Sequence, residues 1–214
     1  MTPATGPSIA IQLIQLIHPD TLALDGTSET DDNLGKAVAT GDFDGDGQVD
    51  VAVSAPYESP GSDPQAGVVF LYKGTLQGLV PWRWISQETT GLAAAGTPTS
   101  GLGTNAAGDQ YGLVAVGDFD GDGVDDLAVG APGKDVGSVL DAGAVYLYRG
   151  FCAVSSGTDA RHGLQPWKLV TQATLGLSSN ENFDRFASSP PPTAIRAGTP
   201  RSGSAATCAH AWPG

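Results

Sequence analysis

Two stretches of the sequence carry closely spaced aspartates, four in the first and five in the second. Residues 41–50 are GDFDGDGQVD, and residues 117–126 are GDFDGDGVDD. In each copy four of the aspartates stand at positions one, three, five and nine of a run that starts at the first aspartate. Four negative side chains this close together repel one another unless a cation neutralises them. The two stretches therefore predict two cation sites, one in each copy.

Calcium is the ion that suits these loops, because Ca²⁺ accepts many hard oxygen ligands, including backbone carbonyls, in a flexible shell. The glycines between the aspartates allow the backbone to turn around an ion with positive φ. The backbone carbonyl at position seven would complete the protein's share of the ligands. The predicted ligands are Asp42, Asp44, Asp46, Gln48 and Asp50 at the first Ca²⁺ site, and Asp118, Asp120, Asp122, Val124 and Asp126 at the second.

The loops differ from the helix–loop–helix calcium site, which needs a bidentate Glu at position twelve. Val53 and Val129 occupy that position, and each loop leads into a short apolar run, VAVSAP or LAVGAP. Such runs, ended by proline, predict buried strands. We therefore expect strand–loop–strand calcium sites. An acidic surface turn without an ion is the alternative, and the close similarity of the two copies argues against it.

The composition favours an all-β protein. The 214 residues include 30 Gly and 15 Pro, and only 15% are charged, which is typical of turn-rich β-structure. The net charge of −13 argues against a nucleic-acid partner, whose phosphates it would repel. The absence of an apolar run of about 18 residues predicts no membrane insertion. Cys152 and Cys208 lack metal-site spacing, and whether they form a disulfide stays open.

A repeat longer than the calcium loop organises the chain. At an offset of 76 residues, AGVVFLYKG (66–74) aligns with AGAVYLYRG (142–150). Further on, GLVPWRWISQETTGL (78–92) aligns with GLQPWKLVTQATLGL (163–177), and the offset has grown to 85. The nine extra residues lie in the segment FCAVSSGTDARH, which predicts a lengthened hairpin loop.

Each repeat predicts four short strands, and repeated four-stranded antiparallel units are typical of propeller blades. The predicted strands are 36–40, 51–54, 68–72 and 84–87 in the first repeat, and 113–116, 127–129, 144–148 and 168–172 in the second. Trp82, Trp84 and Trp167 are aromatic residues of the kind that can stack on sugars. Because Trp82 and Trp167 occupy matched repeat positions, packing between blades is the favoured role.

These residues resemble the FG-GAP repeat of integrin α-subunit propellers and of many bacterial extracellular proteins. In that family a Phe-Gly pair opens the repeat and Gly-Ala-Pro follows the calcium hairpin. The corresponding residues are Leu34-Gly35 and Tyr111-Gly112 for the opening, and Ser54-Ala55-Pro56 and Gly130-Ala131-Pro132 for the end of the hairpin. The resemblance covers roughly residues 33–177. It implies β-propeller blades with calcium sites at the two aspartate loops.

The repeats divide the chain into two complete blades and fragments. The predicted segments are a partial preceding blade strand and linker (1–32), a first blade (33–107), a second blade (108–180), the start of a third blade (181–189) and a disordered tail (190–214). The tail has no Asp or Glu and no alternating apolar run. A truncated or frame-shifted gene end is one hypothesis for this change. Two blades cannot close a ring of four to eight, so a fragment of a longer propeller is favoured over an assembly of chains or an open pair.

The sequence predicts no enzyme activity and no catalytic residues. It contains no Gly-x-Ser-x-Gly motif and no phosphate-binding glycine loop. His18, His162 and His210 have no partner ligand at zinc spacing. The aspartates are predicted to bind calcium, and coordinated carboxylates are held ionised, which makes them poor proton shuttles.

The leading hypothesis is a calcium-binding, non-catalytic propeller module that binds an extracellular protein or glycan, as in adhesion. A secreted or cell-surface location follows from the family resemblance alone. Self-assembly of several chains could complete a propeller. The alternatives are an accessory propeller portion of a secreted hydrolase or phospholipase, and a truncated remnant without function.

Overall fold

The computed structural model describes residues 16–17, 30–89, 102–152, 163–176, 185–186 and 188. These residues form eight β-strands and one short 3₁₀ helix, Ala173–Leu175, which confirms the all-β prediction. The strands are β1 (Val38–Gly41), β2 (Asp50–Ala55), β3 (Val68–Thr75), β4 (Gly78–Ile85), β5 (Leu113–Gly117), β6 (Asp126–Ala131), β7 (Ala144–Arg149) and β8 (Gln165–Val170).

The strands form two four-stranded antiparallel sheets, one in each blade. Neighbours in each sheet follow chain order, β1-β2-β3-β4 and β5-β6-β7-β8. The predicted architecture of two complete four-stranded blades is therefore confirmed. In the hairpin of β1 and β2, Gly41 pairs with Asp50. In the hairpin of β5 and β6, Gly117 pairs with Asp126. Each aspartate loop thus spans the turn between the first two strands of its blade.

The fourth strand of each blade begins earlier and ends earlier than the predicted spans 84–87 and 168–172. In the first blade Leu71 pairs with Arg83 and Tyr72 with Pro81, so Trp82 is an extra residue that forms a β-bulge. The second blade has the same irregularity at Trp167. A proline is tolerated here because β4 and β8 are edge strands with a bulge, where a ladder N–H is not required.

An apolar core fills the space between the two sheets. Side chains alternate between the faces of a strand, and one face of the first sheet packs on one face of the second. Residues from both blades form a single buried cluster: Phe43, Ala52, Val69, Leu71, Ile85, Tyr111, Val114, Leu127, Val129, Ala131, Ala144, Tyr146, Tyr148 and Leu164. Burial of apolar area between the blades therefore holds the two sheets together.

The opposite face of the first sheet has its own apolar cluster. Val53, Ala55, Val68, Phe70 and Tyr72 alternate with the residues of the interblade core and are buried. Ile17, Leu34 and Trp84 are among the partly buried side chains that pack against this cluster. The first blade therefore packs apolar residues on both of its faces.

Tyrosine hydroxyls add polar contacts to the interblade core. The hydroxyl of Tyr111 donates to that of Tyr148 at 2.7 Å, and Tyr148 in turn donates to the carbonyl of Ser86 in the first blade at 3.1 Å. Tyr72 is the matching residue of the first blade. Its buried hydroxyl has no hydrogen-bond partner among the described residues, since Leu34 stands where the second blade has Tyr111.

The blades also meet through backbone hydrogen bonds at the start of each repeat. The N–H of Tyr111 donates to the carbonyl of Ala66 at 2.9 Å. Further along the chain, the N–H of Phe186 donates to the carbonyl of Ala142 at 3.0 Å. Because Ala142 matches Ala66 at the repeat offset, Phe186 contacts the second blade as Tyr111 contacts the first.

The tryptophans at matched positions have different surroundings. Trp82 is partly buried against the interblade core, and a Cβ placed on Gly163 of the second blade would lie 2.1 Å from its ring. Trp167 is 42% exposed. Trp82 therefore packs against the second blade.

Several predictions fall on residues outside the described part of the chain. These are most of the preceding strand and linker (1–32), most of the lengthened loop, most of the third-blade start, the tail (190–214) and the three histidines. Cys152 is disulfide-bonded, whereas Cys208 lies outside the described residues. The structure contains, in its described part, no helix with the length and apolar character that a membrane span requires.

Candidate metal centres

The first aspartate loop is shaped by hydrogen bonds from its own backbone. The Asp42 carboxylate accepts the N–H groups of Asp46 at 3.1 Å and Gly47 at 2.9 Å. Asp46 accepts the N–H of Gln48 at 2.8 Å. Gly45 and Gly47 have φ of 69° and 84°, which side-chain-bearing residues rarely adopt. The loop therefore needs glycine at these positions to direct its carboxylates inwards.

Asp50 connects the loop to the rest of the sheet. It is fully buried. One carboxylate oxygen accepts the N–H of Gly74 at 2.9 Å, and the other accepts the N–H of Phe43 at 3.0 Å. The same side chain thus joins the loop, the start of β2 and the end of β3.

The second loop has the same hydrogen-bond pattern as the first. Asp118 accepts the N–H groups of Asp122 and Gly123, each at 3.1 Å. Buried Asp126 accepts the N–H of Phe119 at 2.7 Å and that of Gly150 at 2.8 Å. The two loops therefore adopt one shape, as their near-identical sequences predict.

Each loop brings three carboxylates to a common point. Oxygens of Asp42, Asp44 and Asp50 all lie within 4.8 Å of one another, as do oxygens of Asp118, Asp120 and Asp126. Calcium binds oxygen at roughly 2.3–2.6 Å, so two of its ligand oxygens are separated by at most about 5 Å. The spacing in each loop fits a single calcium ion.

The remaining predicted ligands lie in the loops but outside these clusters. Asp46 and Asp122 are not among the converging carboxylates. Gln48 is half-buried, and Val124 is buried, with its N–H donating to Asp122 at 2.9 Å. The structure thus brings together three of the four carboxylates predicted for each site.

A basic residue beside each loop is a feature that sequence reasoning missed. Lys73 contacts the carboxylates of Asp44 and Asp46, the latter at 3.0 Å. In the second blade Arg149 contacts Asp120 and lies 3.4 Å from Asp122. The sequence contained a signal, since Lys73 and Arg149 directly follow the matched segments VVFLY and AVYLY at the repeat offset.

Burial and charge repulsion change the acidity of the predicted ligands. Burial raises the pKa of Asp50 to about 6, and the charges of Asp44 and Asp46 add to this effect, while hydrogen bonds from Gly74 and Phe43 oppose it. Burial also raises the pKa of Asp42 and of Asp126. For Lys73, burial acts to lower the pKa, but contacts with Asp44 and Asp46 outweigh burial and raise it.

The raised pKa of Asp50 predicts a pH effect on the calcium-free chain. The unfolded chain releases this proton near pH 4, whereas the folded chain keeps it to about pH 6. The folded state therefore binds more protons in this interval, and this group's contribution to the free energy of unfolding falls as pH rises. We expect the stability of the original chain relative to Asp50→Asn to fall between pH 4 and pH 6 in chelator. Urea unfolding measures it, and a difference independent of pH would contradict the assignment.

The two loops are connected across the blade interface. The N–H of Asp42 donates to the carboxylate of Asp125 at 2.9 Å, and the N–H of Asp125 donates to the carbonyl of Asp42 at 3.0 Å. Asp125 stands between two predicted ligands of the second site, Val124 and Asp126. A predicted ligand of the first site is thus hydrogen-bonded to the loop of the second.

Comparison with known proteins supports the repeat assignment. The model of the FG-GAP repeat family matches residues 34–72 and 112–148. Each match contains one aspartate loop, the first two strands of one blade and most of the third. The matched regions therefore include both carboxylate clusters and end immediately before Lys73 and Arg149.

Two groups of curated proteins are similar to the chain. Phosphatidylinositol-glycan-specific phospholipase D of Rattus norvegicus is 36% identical over 119 residues, which is 55% of the chain and 13% of that protein. Integrin alpha-PS3 of Drosophila melanogaster is 36% identical over 127 residues, 59% of the chain and 10% of that protein. Integrin alpha-3 of Mus musculus is 29% identical over 150 residues, 70% of the chain and 12% of that protein. The chain thus spans about a tenth of the length of these relatives.

Proposed function

Because the chain carries two FG-GAP repeats, we propose that it is a calcium-binding, non-catalytic propeller module that binds a partner outside the cell. The observation that carries this proposal is the pair of matching carboxylate clusters. When bound, calcium would supply positive charge at the point where three carboxylates of each loop converge. Asp42, Asp44 and Asp50 would hold it in the first blade, and Asp118, Asp120 and Asp126 in the second.

The role proposed for calcium is structural. Each cluster lies between the first two strands of a blade, and Asp50 and Asp126 also accept N–H groups at the end of the third strand. Neutralising these carboxylates would remove their repulsion and so stabilise the hairpin. Two Ca²⁺ would bring the formal charge of the chain from −13 to −9. Millimolar extracellular calcium suits sites of this kind, since extracellular modules bind calcium weakly.

A protein or a glycan is the partner proposed for the module. A cavity of about 720 Å³ lies beside β4, and Trp84, Arg83 and Glu88 line part of it. Asn105 and Arg83, both in its wall, each have a buried polar atom without a hydrogen-bond partner among the described residues. An indole ring beside such polar groups favours a glycan. A glycan array tests this, and equal binding by a Trp84→Ala variant would argue for a protein partner or another surface.

An accessory role beside a catalytic domain is the second candidate. The similarity to a phospholipase D supports it, because the matched region is a small part of that protein. A longer reading frame with a Ser/His/Asp or zinc-ligand cluster would favour this candidate, whereas further FG-GAP repeats alone would favour the binding module. The similarity to integrin α-subunits supports a secreted or cell-surface location. Sedimentation in calcium tests whether several chains associate to complete a propeller, and a monomer would argue against that association.

Calorimetric titration of the chelator-treated chain with calcium tests the proposed function. We expect about two sites per chain and, in parallel, a larger β-signal by circular dichroism as calcium binds. Magnesium is the control ion, since it requires near-ideal octahedral geometry and releases its water reluctantly. No heat of binding and no change in circular dichroism would overturn calcium binding by this chain.

A further inference from the structure

Both blades place a cationic side chain on the carboxylates of the calcium loop. Lys73 is in β3 and Arg149 is the last residue of β7, and they match at the repeat offset of 76. Lys73 contacts the third and fifth positions of its loop, Asp44 and Asp46. Arg149 contacts the same two positions, Asp120 and Asp122. The arrangement therefore occurs twice, although the two basic residues differ.

We propose that Lys73 and Arg149 are tethered cations that neutralise the loops when calcium is not bound and compete with calcium for the same carboxylates. The inference rests on the proposed calcium binding and extends it to residues that are not ligands. On this inference, Lys73 and Arg149 determine how tightly each loop binds calcium.

Burial makes the contact between cation and carboxylate strong enough to matter. Asp44 is 1% exposed, and the side chain of Lys73 is 31% exposed. Opposite charges interact more strongly in such a place than at the surface, because the surroundings are less polarisable than water. The loop carries four aspartates and Lys73 contacts two of them, so the negative charge of the loop is reduced and not cancelled. The basic residue therefore favours the folded loop without calcium.

The same contact opposes calcium binding. Asp44 and Asp120 belong to the converging clusters and also contact the basic side chains. A calcium ion at the cluster would lie close to a positive charge, and like charges at short range repel. Calcium must therefore either displace the basic side chain or bind against its charge, and both weaken its affinity.

Each basic side chain also has an aromatic ring close by. Lys73 Nζ lies 5.9 Å from the centre of a Trp82 ring, and the guanidinium of Arg149 lies 5.3 Å from the centre of the Phe151 ring. A cation over an aromatic face is attracted to it. The ring gives the side chain a favourable position beside the loop after calcium has taken the carboxylates.

The inference is tested by removing the charge and keeping the length of the side chain. Lys73→Met and Arg149→Met are each compared with the original chain by calorimetric calcium titration and by thermal unfolding in chelator. We expect one site to bind calcium about tenfold more tightly in each variant, and the melting temperature in chelator to be lower. Lys36→Met removes an equal charge from an exposed lysine and is expected to change neither. Lys73→Arg, which copies the second blade, is expected to resemble the original chain.

The opposite signs of the two effects distinguish competition from a purely structural role. A structural lysine would lower the melting temperature without tightening calcium binding, and that result would overturn the inference while leaving the proposed function intact. Calcium binding by the Met variants but not by the original chain would support the inference. Failure of the original chain and of both Met variants to bind calcium would overturn both proposals.

Discussion

Replacing Gly67 by alanine is expected to destabilise the chain by about 3 kcal/mol or more, because it forces apart the backbones of the two blades. Gly67 has a φ of 87°, and an added Cβ would lie 2.2 Å from the carbonyl oxygen and 2.6 Å from the nitrogen of Tyr111. Both are backbone atoms, so no side chain can rotate away. The displaced nitrogen is the one that donates to Ala66. Urea unfolding followed by tryptophan fluorescence measures the loss.

Gly61 provides the matched control for this substitution. It has a φ of 66°, and an added Cβ would have no atom within 4 Å. Gly61→Ala therefore carries only the cost of the left-handed backbone, about 1–2 kcal/mol. Equal losses of stability in the Gly67→Ala and Gly61→Ala variants would contradict the predicted clash between the blades. Gly143→Ala repeats the test at the next contact, where the added Cβ would lie 2.3 Å from the carbonyl oxygen of Phe186.

The double variant Asp44→Ala, Asp120→Ala is expected to lose the stabilisation that calcium gives. A ligand that binds only the folded state at a hundredfold above its dissociation constant stabilises it by about 2.7 kcal/mol per site. Two sites then contribute about 5 kcal/mol, and each single variant is expected to lose about half. Thermal unfolding in calcium and in chelator gives the difference directly.

The control for the ligand variants is a charge change outside the loops. Asp63 lies in the wall of the cavity beside β4 and belongs to neither carboxylate cluster. Asp63→Asn is therefore expected to keep the full calcium response. Calcium stabilisation of the double variant equal to that of the original chain would show that the clusters are not the binding sites.

The aspartate loops could be predicted because most of the contacts that shape them are local. The predicted ligands of the first site lie within residues 42–50, and the hydrogen bonds that shape the loop link residues two to five positions apart. Spacing along the chain therefore fixes most of the geometry. Lys73 was missed because it reaches Asp44 from 29 positions away, across a strand pairing that residue spacing does not reveal.

The fourth strand of each blade was misplaced for a related reason. Proline has no N–H to donate, so Pro81 argues against a strand that pairs with a neighbouring strand on each side. The structure places it in β4 at the edge of the sheet, next to the bulge at Trp82. Whether a strand lies at an edge depends on the order of strands in the whole sheet, so the residues around the proline cannot show it.

The different hydrogen bonding of Tyr72 and Tyr148 also could not be predicted from the sequence. Both are the matched tyrosine of their third strand and both are buried. Among the described residues, the Tyr148 hydroxyl donates to the carbonyl of Ser86 in the neighbouring blade, whereas the Tyr72 hydroxyl has no partner. The hydrogen bonding of such a tyrosine depends on the neighbouring repeat, so the sequence of a single repeat does not predict it.

The way the blades pack has a consequence for assembly. The first sheet uses the face with Val69 and Leu71, whereas the second uses the face with Tyr146 and Tyr148. The contact joins two unlike surfaces, so it is heterologous, and one copy of it does not use up the surfaces needed for the next. Contacts of this kind continue from unit to unit until the rotation between units closes a ring, or else they generate an open helix. The hydrogen bond from Phe186 to Ala142 repeats that from Tyr111 to Ala66. A further unit would therefore join the second blade through the same contact by which the second blade joins the first.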